Sequence, residues 1–228
     1  MKRFIIVVVI LIVFVVLVVA ALGLLRGRAR STLLIDTLCE PPCWQAIEPG
    51  ETYEWNAIGI LERMPGVGSI MQWGDPEAGG VVGWQFSYPI GDSAGYIYSL
   101  NKRVVAISIM TIGSLDVEEA LAKYGEPDSM WVRYRETESS RWLEVVLHYP
   151  AQGVFVRVEV EPLVDEENKT AYLEERSPIG RVIYYDQAQY DYLIDSRLLF
   201  RESRETISER LQPWAGLGMV SFERPAQD

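Results

Sequence analysis

The run from Phe4 to Leu25 carries no charged or polar side chain, and it constrains this chain more than any other feature. A helix of about 22 residues, rising about 1.5 Å per residue, reaches roughly 33 Å and covers a hydrocarbon core of about 30 Å. Its Val and Ile content disfavours helix in water but matters little in lipid, where the backbone can bond only to itself. Met1-Lys2-Arg3 and the small residues Ala20, Ala21 and Gly23 would also suit a cleaved signal peptide. The apolar stretch exceeds the roughly 7–15 residues of such leaders, which favours a retained anchor. Cys39 follows Thr37-Leu38, well beyond the run, and makes no lipidation signal. Lys2, Arg3 and the terminal amine on one side balance Arg26, Arg28 and Arg30 on the other, so flanking charge does not orient the span.

The two cysteines bear on orientation. Cys39 and Cys43 close a short loop around Pro41-Pro42, and an isolated pair of this kind just after a membrane span suits a disulfide in an oxidising compartment. A redox pair normally has two intervening residues beside a helix start. Zinc would need ligands beyond two thiolates, and the single histidine, His148, is far away in sequence. The chain beyond Arg30 is therefore expected outside the cytoplasm. All 32 acidic residues lie in that part, which makes it more acidic than the whole-chain net charge of −11. Such a surface repels phosphate backbones and argues against nucleic acid as a partner. The three arginines beside the span form a collar suited to headgroups.

The remainder reads as two segments of similar plan. Pro49-Gly50-Glu51-Thr52 precedes a predicted helix from Tyr53 to Met64, with Thr52 as N-cap and Trp55, Ile58, Leu61 and Met64 on one face. Strands are predicted at Ser69–Trp73, Val81–Tyr88, Ala94–Leu100 and Arg103–Met110, with a hairpin turn at Leu100–Arg103. The second segment opens with Ser114 capping a helix from Leu115 to Tyr124, stopped by Gly125 and Pro127. Strands follow at Met130–Tyr134, Arg141–Tyr149, Val154–Glu161 and Gly180–Tyr185, with a turn at Pro150–Gly153. In the third of these, Val154, Val156, Val158 and Val160 share one face and Phe155, Arg157 and Glu159 the other. Asp165–Thr170 reads as an exposed loop. Helices are expected over Gln187–Ser196 and Glu202–Leu211, before a tail holding Trp214. The expected class is α+β, an N-terminal transmembrane helix followed by two tandem helix-plus-antiparallel-sheet repeats. The boundaries are 1–30 for the anchor and collar, 31–111 and 112–186 for the repeats, and 187–228 for the C-terminal extension.

Cys39-Glu-Pro-Pro-Cys-Trp44, followed by Pro49-Gly50-Glu51-Thr52, resembles the opening of a group of uncharacterised bacterial membrane-anchored envelope proteins. Tyr124-Gly125-Glu126-Pro127 and Pro213-Trp214-Ala215-Gly216 resemble their later blocks. That group has no assigned activity to carry over. More distantly, the two helix blocks resemble the SmpA/BamE outer-membrane assembly lipoproteins, with the start motif in the first (Pro49–Thr52) and the stop motif in the second (Tyr124–Pro127), although Glu51 stands where they have Met and the lipidated cysteine is absent. The tandem plan is also similar to that of the secreted proteinaceous β-lactamase inhibitors. These likenesses imply a BamE-like repeat architecture; fold alone does not assign function.

No catalytic constellation emerges. His148 lies within a strand, on the face of Trp142, Glu144 and Val146, without a Gly-x-Ser-x-Gly elbow. Gly79-Gly80 lacks the Lys-Ser/Thr of a phosphate loop. Glu118/Glu119 and Glu174/Glu175 read as solvated charges. No cofactor or metal ligands are assigned. Tyr184, Tyr185, Tyr190 and Tyr192 form the densest aromatic cluster and are the candidate partner surface. The expected function is a non-enzymatic interaction or structural module of the cell envelope, with a membrane and a protein as partners. A small-ligand or carboxylate/tyrosine enzyme, and a secreted inhibitor of another protein, are the alternatives. If Cys39 and Cys43 are bonded, their Cα atoms lie within about 7 Å.

Overall fold

Residues 39–86, 94–111, 115–137, 140–161 and 163–222 are described by a computed structural model. The Phe4 to Leu25 span and the expected Ser114 cap lie outside them. Among the described residues, no helix is long and apolar enough to cross a membrane.

Two helices precede two runs of strands. Helix α1 (Glu54–Arg63) starts at Tyr53, which makes no side-chain cap. Thr52 does not cap it; its Oγ1 accepts the Glu48 N–H at 2.8 Å and closes the preceding turn. Glu54, Ala57 and Leu61 face inward, and Trp55, expected on the buried face, is 68% exposed. Helix α2 (Val117–Tyr124) is capped by Asp116. Asp116 Oδ1 accepts the Glu119 N–H at 3.0 Å, and Glu119 Oε2 accepts the Asp116 N–H at 3.2 Å, satisfying two donors reciprocally.

The strands are β1 (Val67–Asp75), β2 (Gly79–Phe86), β3 (Ala94–Leu100), β4 (Arg103–Met110), β5 (Ser129–Glu136), β6 (Arg141–Tyr149), β7 (Val154–Val160), β8 (Thr170–Leu173), β9 (Ile179–Tyr185), β10 (Gln212–Pro213) and β11 (Gly218–Ser221). Nine of them form one antiparallel sheet in the order β1-β2-β3-β4-β9-β7-β6-β5-β10. β8 and β11 pair separately. The expected α+β class with two tandem repeats is corrected here: among the described residues the structure is mostly β, with four short helices around one continuous sheet. Ala106–Met110 pair with Arg181–Tyr185 across the junction of the two strand runs. Local periodicity cannot reveal this pairing, because each partner reads as an ordinary strand wherever its neighbour comes from.

Register sorts the side chains onto two faces. On the first, α1 and α2 cover the valines of β7, Val145, Leu147, Ile107 and Tyr184. Tyr124 reaches Tyr184, their hydroxyls 2.8 Å apart, and Trp44 stacks on Trp84 at 5.6 Å. The second face is roofed over one half by helices α3 (Tyr190–Asp195) and α4 (Arg204–Arg210) and the segment between them. Leu193, Ile194, Leu199, Phe200 and Ile207 close there on Trp131, Val146, Phe155, Ile183 and Tyr185. Both faces of the central strands are therefore buried, and Arg103–Met110 is apolar almost throughout.

Gly95 is a tight spot in the first core. A Cβ built on it would lie 2.0 Å from the Trp84 ring, which is 1% exposed and pinned against Trp44. Gly95→Ala is expected to lower stability by about 1–3 kcal/mol through overpacking. Urea unfolding followed by tryptophan fluorescence measures this, and an unchanged midpoint would contradict the packing described.

Candidate functional site

The cysteine pair is bonded, with Cα atoms 5.7 Å apart. The Cys43 N–H donates to Glu40 O at 3.0 Å, and Cys43 is buried. This places the loop as a staple beneath Trp44 and Trp84.

The tyrosine surface is corrected. Tyr184 and Tyr185 are adjacent in β9 and point to opposite faces, and each face is covered there, so neither can meet a partner. Tyr184 bonds to Tyr124. Tyr185 lies 2.9 Å from His148 Nε2 and stacks on Phe155 at 4.7 Å. Tyr190 and Tyr192 are half-buried packing residues of the α3 roof.

His148 is a core residue. It is 6% exposed, stacked on Phe155 at 4.5 Å and on Tyr190 at 5.7 Å. Burial pushes its pKa down to about 4, against a small opposing pull from Asp128. The ring is neutral in the folded chain at pH 7 and cannot serve an exposed substrate.

The second face is open toward β1 and closed toward β5, and beyond the cluster under α3 and α4 it carries a different set of residues. Pairing aligns Trp73 and Met71 of β1, Gly83 of β2, Tyr96 of β3, Ser108 and Met110 of β4, Arg181 of β9, Arg157 of β7, Glu144 of β6 and Arg133 of β5 on it. Trp73 is 48% and Met71 45% exposed. The Trp73 ring lies across Gly83 beside Tyr96: a Cβ on Gly83 would sit 2.7 Å from the Trp73 ring and 3.3 Å from the Tyr96 ring. Gly83 is thus a notch that lets an indole lie flat on the sheet.

Toward β5 the same face becomes charged. Buried Glu144 accepts from Arg133 at 2.5 Å and from Arg157, with Arg135 at 3.6 Å. Arg133 Nε lies 2.6 Å from Glu202, although its N–H does not point at the oxygen, and Glu202 takes Arg210 at 2.8 Å. Burial raises the Glu144 pKa, but Arg157, Arg133 and Arg135 more than offset it and hold the carboxyl below the usual range. Arg181 differs from the other arginines. It has no ion pair or hydrogen bond among the described residues, and burial together with Arg157 pulls its pKa down.

Sequence reasoning missed this set because its members come from eight strands. The available signal was local: Arg157 opposite the β7 valines, and Arg181 inside an otherwise apolar strand. Charged residues at central sheet positions are costly unless a specific contact uses them. Among the described residues, no three metal-ligating side chains cluster.

His148 makes stability pH-dependent with a definite sign. Its folded pKa, about 4, lies below the unfolded value, about 6.5. As pH falls between those values only the unfolded chain takes up a proton, so stability is lost across that window and levels off below it. Replacing His148 with Phe should remove a loss of roughly 3 kcal/mol accumulated from pH 6.5 to 4. Chemical unfolding of both chains at several pH values measures it; parallel pH profiles would overturn the assignment.

No protein-family model and no curated protein matches the chain. Among solved structures it is similar to a cysteine-rich secretory protein of Staphylococcus aureus, at 8% identity and a TM-score of 0.31, covering 86% of this chain and 59% of that one. This chain thus spans 59% of that protein's length, and a likeness of that order carries no argument about fold or function.

Proposed function

We propose that this chain is a non-enzymatic interaction module of a cell envelope, held at a membrane by its apolar N-terminal segment with residues 39–228 outside the cytoplasm. It binds a protein partner through the open half of the second sheet face. The observation that carries this reading is the exposure of Trp73 and Met71, with the Trp73 ring lying beside Tyr96 over Gly83 and arginines further along the same face. Trp, Tyr, Met and Arg are the residues enriched in protein interfaces, and hot spots gather where large side chains are held in fixed rotamers. Gly83 supplies that fixing for Trp73. The partner is expected to be acidic where it meets the arginines, since the rest of this chain, at net −11, repels acidic surfaces. The Cys39–Cys43 disulfide supports the outward placement, because such bonds persist in oxidising compartments.

A reporter enzyme active only after export, fused after Asp228, tests the placement. Activity of the fusion is expected, and a silent fusion with full expression would reverse the topology. A photo-crosslinking amino acid at position 73 tests the surface, with position 217 as the control, since Leu217 is also exposed and lies outside this face. A discrete adduct is expected from position 73 alone, suppressed by excess unlabelled protein. No adduct, or the same adducts from both positions, would end this reading.

A further inference from the structure

We infer that β1 is the seat of a second copy of this chain: two β1 strands pair antiparallel about a twofold axis at Gln72 and join two sheets into one. This goes beyond the partner-binding reading, and it sets two open faces side by side for whatever binds them.

The two edges of the nine-stranded sheet are built differently. At one end β10 covers part of β5 with only Gln212 and Pro213, and the rest of β5 carries Arg133, Arg135 and Glu136. A very short strand, a proline and charged side chains are the ordinary means of keeping an edge from pairing. β1, at the other end, uses none of these. It is nine residues long, holds no proline, and has no charged side chain from Val67 to Gly74 in a chain where 23% of residues are charged. Gly68, Ser69 and Met71–Asp75 are exposed, and for the two glycines that surface is mostly backbone. Among the described residues only β2 pairs with it. A register shift between Val67 and Ile70 leaves Ile70–Asp75 as its regular part.

That regular part is complementary to itself. In an antiparallel pair related by a twofold axis, the residue on the axis faces its own copy, and facing side chains share one face of the sheet. With the axis at Gln72, Met71 faces the other copy's Trp73, Ile70 faces Gly74, and Ser69 faces Asp75. Met71 and Trp73 are the exposed large side chains of this strand, and this axis sets thioether against indole twice. An axis at Met71 would spend Trp73 on Ser69, and one at Trp73 would set Met71 against Asp75. The Trp73 ring is laid inward over Gly83, which leaves room at the edge for the other copy's methionine. No like charges meet across the ladder. Outside it each chain is net −11, so salt should tighten the pair by screening the repulsion. The axis stands perpendicular to the sheet, so both open faces stay on one side and each β1 becomes an interior strand.

Introduced cysteines read the register directly. The chain's own two cysteines are bonded to each other, so an added one is the single free thiol. Cα atoms facing each other on the axis are about 4.5–5.5 Å apart, within reach of a disulfide. The full-length protein is oxidised in detergent, with micelles in large excess over chains. Gln72→Cys should form a two-chain species about tenfold faster than Leu217→Cys, which is exposed elsewhere. Ser69→Cys and Asp75→Cys should each stay single and link only when mixed. Met71→Glu should remove the Gln72→Cys link, and a tenfold rise in salt should strengthen wild-type association about threefold or more in sedimentation. Equal rates for Gln72→Cys and Leu217→Cys, Ser69→Cys linking alone as fast as the mixture, or weaker association in salt would overturn the inference. The photo-adduct from position 73 judges the partner reading separately: twice the chain mass comes from paired edges, and any other mass from the partner. Equal cysteine rates with an adduct of another mass remove the pairing and keep the partner surface. Fast Gln72→Cys linking without such an adduct does the reverse.

Discussion

Pairing of β4 with β9 is the constraint on which the rest of the structure depends. Ala106–Met110 and Arg181–Tyr185 come from the ends of two separate strand runs, and their hydrogen bonds turn two meanders into one sheet. Each meander alone would end in an open edge at the point where the sheet is most apolar. Joined, they give central strands that can be covered on both sides, by α1 and α2 on one face and by the C-terminal helices on the other. The pairing also sets Tyr96 beside Ser108 and Arg157 beside Arg181 on one face of four consecutive strands.

The charged half of the second face is built as an alternating chain: Arg210, Glu202, Arg133, Glu144, Arg157. It runs from the C-terminal roof across β5 and β6 to β7. Every member up to Arg157 has an opposite charge on each available side, which is how buried ions are tolerated in a low-dielectric setting. The alternation fails at the next step, where Arg157 is followed by Arg181. The same face therefore holds one balanced stretch, which ties the roof down, and two like charges side by side at its end.

Much of this was legible locally. The alternation of Val154 to Val160, the turn at Leu100–Arg103 and the strands Ala94–Leu100, Arg103–Met110 and Arg141–Tyr149 stand where period-two patterns put them. Helix starts were less legible. Thr52 and Ser114 look like caps, but Thr52 bonds backwards to Glu48, and the box that opens α2 is formed by Asp116 and Glu119. Two features were beyond local reading. β8 is a strand only because β11, almost fifty residues on, pairs with it. Tyr184 and Tyr185 look like a surface patch in one dimension, whereas strand geometry sends them to opposite sides, and only the roof and α2 decide that both are buried.

The C-terminal segment has a consequence for how the molecule comes into being. It is synthesised after β9, yet Phe200 packs edge-on against both Trp131 and Phe155, at 5.1 and 5.2 Å from their rings. Until that segment emerges, the growing sheet holds a bare aromatic floor and a half-paired Arg133. Contacts this distant in sequence close slowly, because the loop entropy must be met before they form. Nascent chains stopped after β9 are thus sticky intermediates with a nearly complete sheet and no lid, and it is in that interval that a chaperone has something to hold.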